Sequence, residues 1–250
     1  MDGNADRHDA GREPRRTLGV RPATGSGETV WLHGAGLSAE TWAGRAEGRC
    51  LNLPGHGGTP RAGEATVAGF ADRLMPLLPA ERFALVGHSL GAMVALEIAA
   101  RRPEHIRALV LAETAYTMQA RGIDRQGAWR AVRLPRWLGP RGVARRTGMG
   151  QSRAVRRGLK TETAAMAPEA LTDAMAAAHR FDGRALLERL TMPALILTGR
   201  RNPRTLPQAR ALSKRLPDAR LMLLEGGHFL HIDTPRAFYG TIDAFLKSHP

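Results

Sequence analysis

The sequence Gly-His-Ser-Leu-Gly at positions 87–91 limits the possible folds of this chain more than any other feature. It follows the apolar run Phe83–Val86, which predicts a buried strand, and it leads into the helical pattern Leu90–Arg101. A turn this tight between a strand and a helix leaves no room for side chains at its flanks, and glycine stands at both. Ser89 is then held at the strand tip in strained backbone, above a helix N-terminus with amide donors and positive potential. The pattern predicts a nucleophilic serine, with a structural serine in a glycine-rich turn as the alternative.

Short apolar runs alternate with helical patterns along the chain, which predicts an α/β fold with a mainly parallel sheet and helices on both faces. The expected strands are Thr29–Leu32, Phe83–Val86, Ala108–Leu111, Ala194–Thr198 and Arg220–Leu224, with a weaker run at Arg49–Leu53. The expected helices are Ala65–Leu78, Leu90–Arg101, Leu206–Leu216 and Pro235–Lys247.

Residues 115–191 interrupt this alternation. They contain no convincing strand and carry helical stretches such as Pro168–His179, and the segment is far longer than an ordinary crossover between parallel strands. We expect a helical cap here, over the carboxyl edge of the sheet where α/β proteins bind ligands. The core is then 17–114 and 192–250, and residues 1–16, which are rich in charge, form a disordered tail. The candidate substrate-pocket residues of the cap are Met118, Trp129 and Trp137.

Two further turns after predicted strands carry candidate site residues. His-Gly-Ala-Gly at 33–36 follows the first strand, so the amides of Ala35 and Leu90 are expected to point at one spot above Ser89 as an oxyanion hole. The alternative is a plain turn after a strand. His228 follows two glycines after the last strand and is the expected general base. His231, three residues further on, is the direct rival for this role. Three other histidines also lie near the expected site: His33, His56 and His88.

Together these motifs resemble the α/β-hydrolase superfamily, of the serine esterase type, from about Val30 to Phe245. The motifs that carry the resemblance are HGAG at 33–36, NLPGHG at 52–57, the serine turn, and GH at 227–228 with DTP at 233–235. The stretch HGAGLSAETW at 33–42 is similar to esterases related to pimeloyl-carrier-protein methyl esterase. The resemblance implies a sheet of about eight strands, no cofactor and no metal. Because few residues precede Val30, we expect the N-terminal hairpin of the family to be reduced.

The resemblance breaks at the expected catalytic acid. The family usually carries aspartate after the strand Ala194–Thr198, whereas this chain has Asn202. An amide cannot stabilise an imidazolium as a carboxylate does, and such a change in a serine protease costs ~10⁴ in kcat. Either the enzyme is crippled or its acid lies elsewhere. Glu113 ends a strand expected beside the nucleophile strand, about 4.8 Å away, and some superfamily members carry their acid there.

Other roles for these residues stay open. Glu113 can instead pair with an arginine of the cap or cap a helix, and Glu225 and Asp233 flank the histidine loop as further candidate acids. Dehalogenases and epoxide hydrolases need a carboxylate nucleophile, so the serine argues against both reactions. It favours hydrolysis of a carboxylic ester or thioester through an acyl-serine intermediate. The alternatives are a carbon–carbon bond hydrolase or lyase on the same fold, and a non-catalytic binding protein, which Asn202 suggests.

Charge bears on the partners. The net charge is +14, but only three of the 37 basic residues are lysines, so the excess can reflect arginine-rich codon usage. No nucleic-acid-binding motif accompanies it, so no nucleic acid partner is expected. Residues 121–160 hold 12 basic side chains and one acid, Asp124. This run predicts a small acyl substrate that is anionic or carried on CoA or an acyl-carrier protein; a membrane-surface face and a simply solvated face are the alternatives.

The cellular compartment follows from what the sequence lacks. Cys50 is the single cysteine, so no internal disulfide can form, and no secretory signal pattern opens the chain. No apolar stretch approaches the ~20 residues that a membrane span needs. We therefore expect a cytoplasmic protein without a transmembrane segment.

Overall fold

The computed structural model describes residues 28–118 and 125–250. Their centre is one sheet of six strands in the order β2-β1-β3-β4-β5-β6, in which every pairing is parallel. The strands are β1 (Glu28–Leu32), β2 (Arg49–Leu51), β3 (Phe83–His88), β4 (Ile106–Ala112), β5 (Ala194–Gly199) and β6 (Ala219–Leu224). The expected α/β class and parallel sheet are confirmed. The expected count of about eight strands is corrected to six within these two ranges, because the described residues offer only six apolar runs of strand length.

Each apolar run that predicted a strand forms one. The weak run at 49–53 ends as a strand at Leu51, two residues early. There the backbone turns away from the sheet, and the amide of Leu53 donates to Nε2 of His33 at 3.0 Å instead of continuing the ladder. The predicted tail, residues 1–16, lies outside the described residues.

Helices cover both faces of the sheet. In chain order they are α1 (Val67–Leu74), α2 (Leu90–Arg101), α3 (Arg125–Thr147), α4 (Arg153–Thr161), α5 (Pro168–Arg180), α6 (Leu206–Ser213), α7 (Leu230–Asp233) and α8 (Pro235–Lys247). The first begins two residues later than predicted, because the Thr66 hydroxyl caps it by accepting from Gly69 N at 2.9 Å. It tightens into a 3₁₀ turn at Met75–Leu77, where Pro76 lacks an amide to donate.

The core lies in two layers. Successive residues of a strand point to opposite faces, so neighbours such as Val30 and Trp31 enter different buried clusters. Helices α1, α2 and α6 cover one face, and α8 covers the other. With both faces buried, the carboxyl edge of the sheet is where the loops after β1, β3, β4, β5 and β6 gather, and every predicted catalytic side chain follows one of these strands.

The described residues of the segment between β4 and β5 form α3, α4 and α5, with an isolated antiparallel bridge between Thr117 and Asp182 and no strand of the sheet. Helix α3 is two helices joined at a kink, where Gly139 has φ 63°. Ala174 and Ala177 of α5 are buried in the same cluster as β1, β3 and β4, so this segment is packed onto the core. No helix in the described ranges is long and apolar enough to cross a membrane.

Candidate active site

The turn between β3 and α2 has the strained geometry that its sequence predicts. Ser89 adopts φ 54° and ψ −115°, and its amide donates to the carbonyl of Ala112 on β4 at 2.9 Å. A side chain at Gly87 would place its Cβ 2.5 Å from Cα of Ala92, and one at Gly91 would place it 2.3 Å from the carbonyl oxygen of Leu32. The flanking glycines are therefore needed for close packing, and the serine side chain is left at the carboxyl edge.

His228 comes to Ser89 from the loop between β6 and α7. Its Nε2 lies 3.1 Å from Oγ of Ser89, at hydrogen-bond distance. The loop is fixed by His88, whose Nε2–H donates to the carbonyl of His228 at 2.8 Å. Burial lowers the pKa of His88 to about 3, so this ring is neutral. The ring of His88 therefore serves as a donor to the backbone carbonyl of His228 and does not act as a second base.

Glu113 lies on the other side of His228. It directly follows β4 and has φ 52°; Glu113 and Ser89 are the two described non-glycine residues with positive φ. Its Oε2 is 3.4 Å from Nδ1 of His228, slightly beyond an ordinary hydrogen bond. Three donors hold the carboxylate in place: the amide of Gly199, the hydroxyl of Thr205 at 2.8 Å, and Nδ2 of Asn202 at 2.5 Å.

The environment of Glu113 favours its charged form. Burial raises the pKa of Glu113, but the interaction with His228 and the hydrogen bonds from Gly199 and Thr205 outweigh burial and hold the pKa below its ordinary value. An anionic carboxylate facing Nδ1 favours the tautomer of His228 with its proton on Nδ1. The lone pair of Nε2 is then directed at Ser89, as a general base requires.

Asn202 occupies the position of the expected acid but has a different contact. Its Nδ2 is 3.4 Å from Nδ1 of His228 and cannot accept the Nδ1 proton, whereas the same nitrogen donates to Glu113. From the sequence Asn202 is visible only as a missing acid, and its contact with Glu113 emerges in the structure. The available signal was the pairing of a carboxylate after β4 with an amide after β5, two strands that are neighbours in the sheet.

The two candidate oxyanion donors lie on the turns around Ser89. Leu90 is the first residue of α2, so its amide is one of the helix N-terminal donors without an intrahelical partner. The amide of Ala35 enters no hydrogen bond within the described part of the chain. A Cβ at Gly34 would be 3.2 Å from Cβ of Ser89, so the loop carrying Ala35 reaches the serine. Their role as an oxyanion hole stays a prediction.

The rival side chains are engaged elsewhere. His231 is buried, and its Nε2 contacts Oγ1 of Thr41 at 3.0 Å. His33 accepts from Leu53 N, and His56 accepts from Gly36 N at 3.3 Å. Glu225 forms an exposed ion pair with Nε of Arg200 at 2.9 Å.

The predicted substrate-pocket residues separate in space. Met118 is partly buried against the main core cluster, and its amide donates to the carbonyl of Phe181 at 3.1 Å. The side chain of Trp137 is 92% exposed on α3, next to the kink at Gly139, so its expected place in a pocket wall is wrong. The side chain of Trp129 lies outside the described part of the structure. No group of three or more metal-ligating side chains occurs in the described ranges.

Comparisons with known proteins agree on one family. The model of the alpha/beta hydrolase family matches residues 29–241. A pimeloyl-[acyl-carrier protein] methyl ester esterase of Aromatoleum aromaticum is 30% identical over 83% of this chain and 93% of its own length. An esterase of the same name from Neisseria meningitidis is 30% identical over 79% of this chain and 81% of its own. The crystal structure of a hydrolase from Pseudomonas aeruginosa superposes with a TM-score of 0.78 over 90% of this chain and 91% of that one; its 22% identity supports the fold alone.

Proposed function

The chain belongs to the alpha/beta hydrolase family, and on this basis we propose that it hydrolyses a carboxylic ester or thioester through an acyl intermediate on Ser89. The relatives named as esterases support ester hydrolysis as the reaction class. The observation that carries the proposal is the 3.1 Å approach of His228 Nε2 to Ser89 Oγ, with the Glu113 carboxylate on the opposite ring nitrogen.

In the first half-reaction, Nε2 of His228 takes the Ser89 proton while Oγ attacks the substrate carbonyl carbon. The π electrons of the carbonyl move onto its oxygen, and the amides of Ala35 and Leu90 donate to that oxyanion. The imidazolium carries its Nδ1 proton toward Glu113. When the tetrahedral intermediate collapses, the bond to the leaving group breaks, and the alcohol or thiol leaves with the proton from Nε2.

In the second half-reaction, a water molecule replaces the leaving group. His228 takes one proton from water, the hydroxyl attacks the acyl carbon, and the second tetrahedral intermediate expels Oγ of Ser89. The serine regains its proton from Nε2, and the free acid is released. His228 is therefore base and then acid in each half, and Glu113 stays ionised throughout.

Glu113 changes what Asn202 implies. Asn202 suggested a non-catalytic protein because no acid stood at its position, but a buried carboxylate faces Nδ1 of His228 from the neighbouring strand. Asn202 then serves the reaction by holding that carboxylate through its amide donor. This removes the argument for a binding protein.

The substrate class we propose is an anionic acyl group or one carried on CoA or an acyl-carrier protein. Helix α4 carries three exposed arginines and one exposed lysine, whereas its residues Val155 and Leu159 are buried. The relatives named as pimeloyl-[acyl-carrier protein] methyl ester esterases support a substrate on an acyl-carrier protein. The exposed basic residues of α4 are Arg153, Arg156, Arg157 and Lys160.

The acyl intermediate is directly testable. The purified chain is mixed with p-nitrophenyl acyl esters and with acyl-CoAs, and the protein is quenched early for peptide mass spectrometry. We expect a burst of leaving group and an acyl mass on the peptide that contains Ser89. A control variant, Ser213→Ala, removes a partly exposed hydroxyl that donates to the carbonyl of Arg210 within α6, and it should keep the burst. Hydrolysis with the acyl group on another residue, or no hydrolysis at all, would contradict the proposal.

A further inference from the structure

The segment between β4 and β5 holds the loop after β1 by a buried hydrogen bond. Oγ1 of Thr163 donates to the carbonyl of Gly36 at 2.6 Å, and Thr163 is 2% exposed. Gly36 has φ 80°, and a Cβ there would lie 2.7 Å from Oγ1 of Thr163. The loop and the threonine therefore meet without space for any side chain at position 36.

A second bond to the same loop comes from the preceding residue. Oε2 of Glu162 accepts from the amide of Ser38 at 2.6 Å and from its hydroxyl at 2.7 Å. Glu162 caps the C-terminus of α4, where the helix dipole disfavours a negative charge, and burial raises its pKa. The two donors of Ser38 oppose the effect of burial without cancelling it, and they tie the carboxyl group to the loop.

The core holds this loop from the opposite side. The amide of Gly36 donates to Nε2 of His56, while its carbonyl accepts from Thr163. Both polar groups of the residue next to Ala35 are therefore fixed, one by the core and one by the segment that follows α4. Leu37 adds an apolar contact, since it shares a buried cluster with Val155 and Leu159 of α4.

From this clamp we propose that Thr163 and Glu162 are positioning residues that hold the loop 34–38 so that the amide of Ala35 faces the oxyanion formed at Ser89. The inference rests on the proposed function, because it needs a reaction that forms an oxyanion there. It makes the oxyanion hole a joint product of the core and the helical segment. Without the Thr163 hydroxyl, the carbonyl of Gly36 loses a buried partner, and the peptide unit between Gly36 and Leu37 is held less firmly.

The test compares an ester with its thionoester, in which sulfur replaces the carbonyl oxygen while the acyl and leaving groups stay the same. A sulfur anion accepts poorly from N–H donors, so thionoester turnover gains little from an oxyanion hole. For Thr163→Val we expect kcat for the oxygen ester to fall roughly tenfold, below the ~10²–10³-fold cost of losing a donor outright. The thionoester rate should fall much less, so the ratio of the two rates shrinks. Thr163→Ser, which keeps the hydroxyl, should restore the ratio.

Controls separate this role from general destabilisation. Thr172→Val removes a partly exposed hydroxyl of α5 that, among the described residues, donates to the carbonyl of Pro168, and it should leave both rates unchanged. Glu162→Met keeps a similar length and removes the acceptor oxygen from both Ser38 donors, and it is read in the same way if Thr163→Val does not fold. An unchanged ratio in a folded variant of an active enzyme would overturn the clamp and leave the proposed function standing. A wild-type chain that hydrolyses neither substrate would overturn both.

Discussion

The side-chain amide of Asn202 donates to the carboxylate of Glu113 at 2.5 Å. The two residues follow neighbouring strands, β5 and β4, and both lie beside Nδ1 of His228. The charge thus sits after one strand and the supporting amide after the next, with the histidine between them and Ser89. With the carboxylate after β4 and the amide after β5, a chain that has asparagine at the expected acid position still places a carboxylate beside its histidine.

The first prediction concerns the strained backbone of Ser89. At φ 54° and ψ −115° a serine stores strain of order 1–3 kcal/mol. Glycine relieves this strain, although its larger unfolded-state entropy cancels part of the gain in stability. Ser89→Gly should therefore raise the thermal midpoint of unfolding relative to Ser89→Ala, while both variants lose ester hydrolysis. Equal midpoints for the two variants would argue against strain at this position.

The second prediction concerns acid stability. Burial lowers the pKa of His56 to about 4, whereas the unfolded chain titrates near the ordinary value of 6.5. Between these pH values the unfolded state binds a proton that the native state does not, so stability falls as pH falls through this window. His56→Gln removes this term and keeps a side-chain acceptor for Gly36. We expect urea unfolding to give a variant that loses about 2 kcal/mol less than wild type between pH 7 and 4.5. Parallel losses would mean that His56 is protonated in the native state.

The third prediction concerns the basic side of α4. Replacing Arg153, Arg156 and Arg157 by glutamate should raise KM for an acyl-CoA or acyl-carrier-protein ester more than for a neutral p-nitrophenyl ester. Because these side chains are exposed, the difference should shrink as salt shortens the range of the charges. The matched control reverses three exposed arginines elsewhere, Arg73, Arg189 and Arg210. Equal KM effects from both triple variants would favour a face that is merely solvated.

The strands of the sheet could be predicted from the sequence, and so could the approach of Ser89 and Glu113 to His228, because these residues directly follow apolar runs of strand length. Apolar runs of strand length each became a strand, and glycines around Ser89 required the sharp turn that the structure has. The exposed position of Trp137 could not be predicted, since the pattern of α3 does not say which of its faces packs against the core. The hydrogen bond from Thr163 to Gly36 joins two segments that are distant in sequence, and no local sequence pattern predicts it.

The proposed mechanism depends on Glu113 as the catalytic acid partner of His228. Glu113→Gln keeps the shape of the side chain and removes its charge, so the variant should fold while kcat falls by roughly 10²–10⁴, with KM little changed. Asn202→Asp puts a second carboxylate against Glu113, and repulsion should make the pair share a proton, giving no gain in kcat and some loss of stability.

The deciding measurement is kcat of the two variants and wild type for one ester, with unfolding curves to confirm that each is folded. We expect a large loss of kcat for Glu113→Gln and no increase for Asn202→Asp. A sharp rise of kcat in Asn202→Asp, with Glu113→Gln close to wild type, would contradict the proposed mechanism and show that this chain carries a degraded triad.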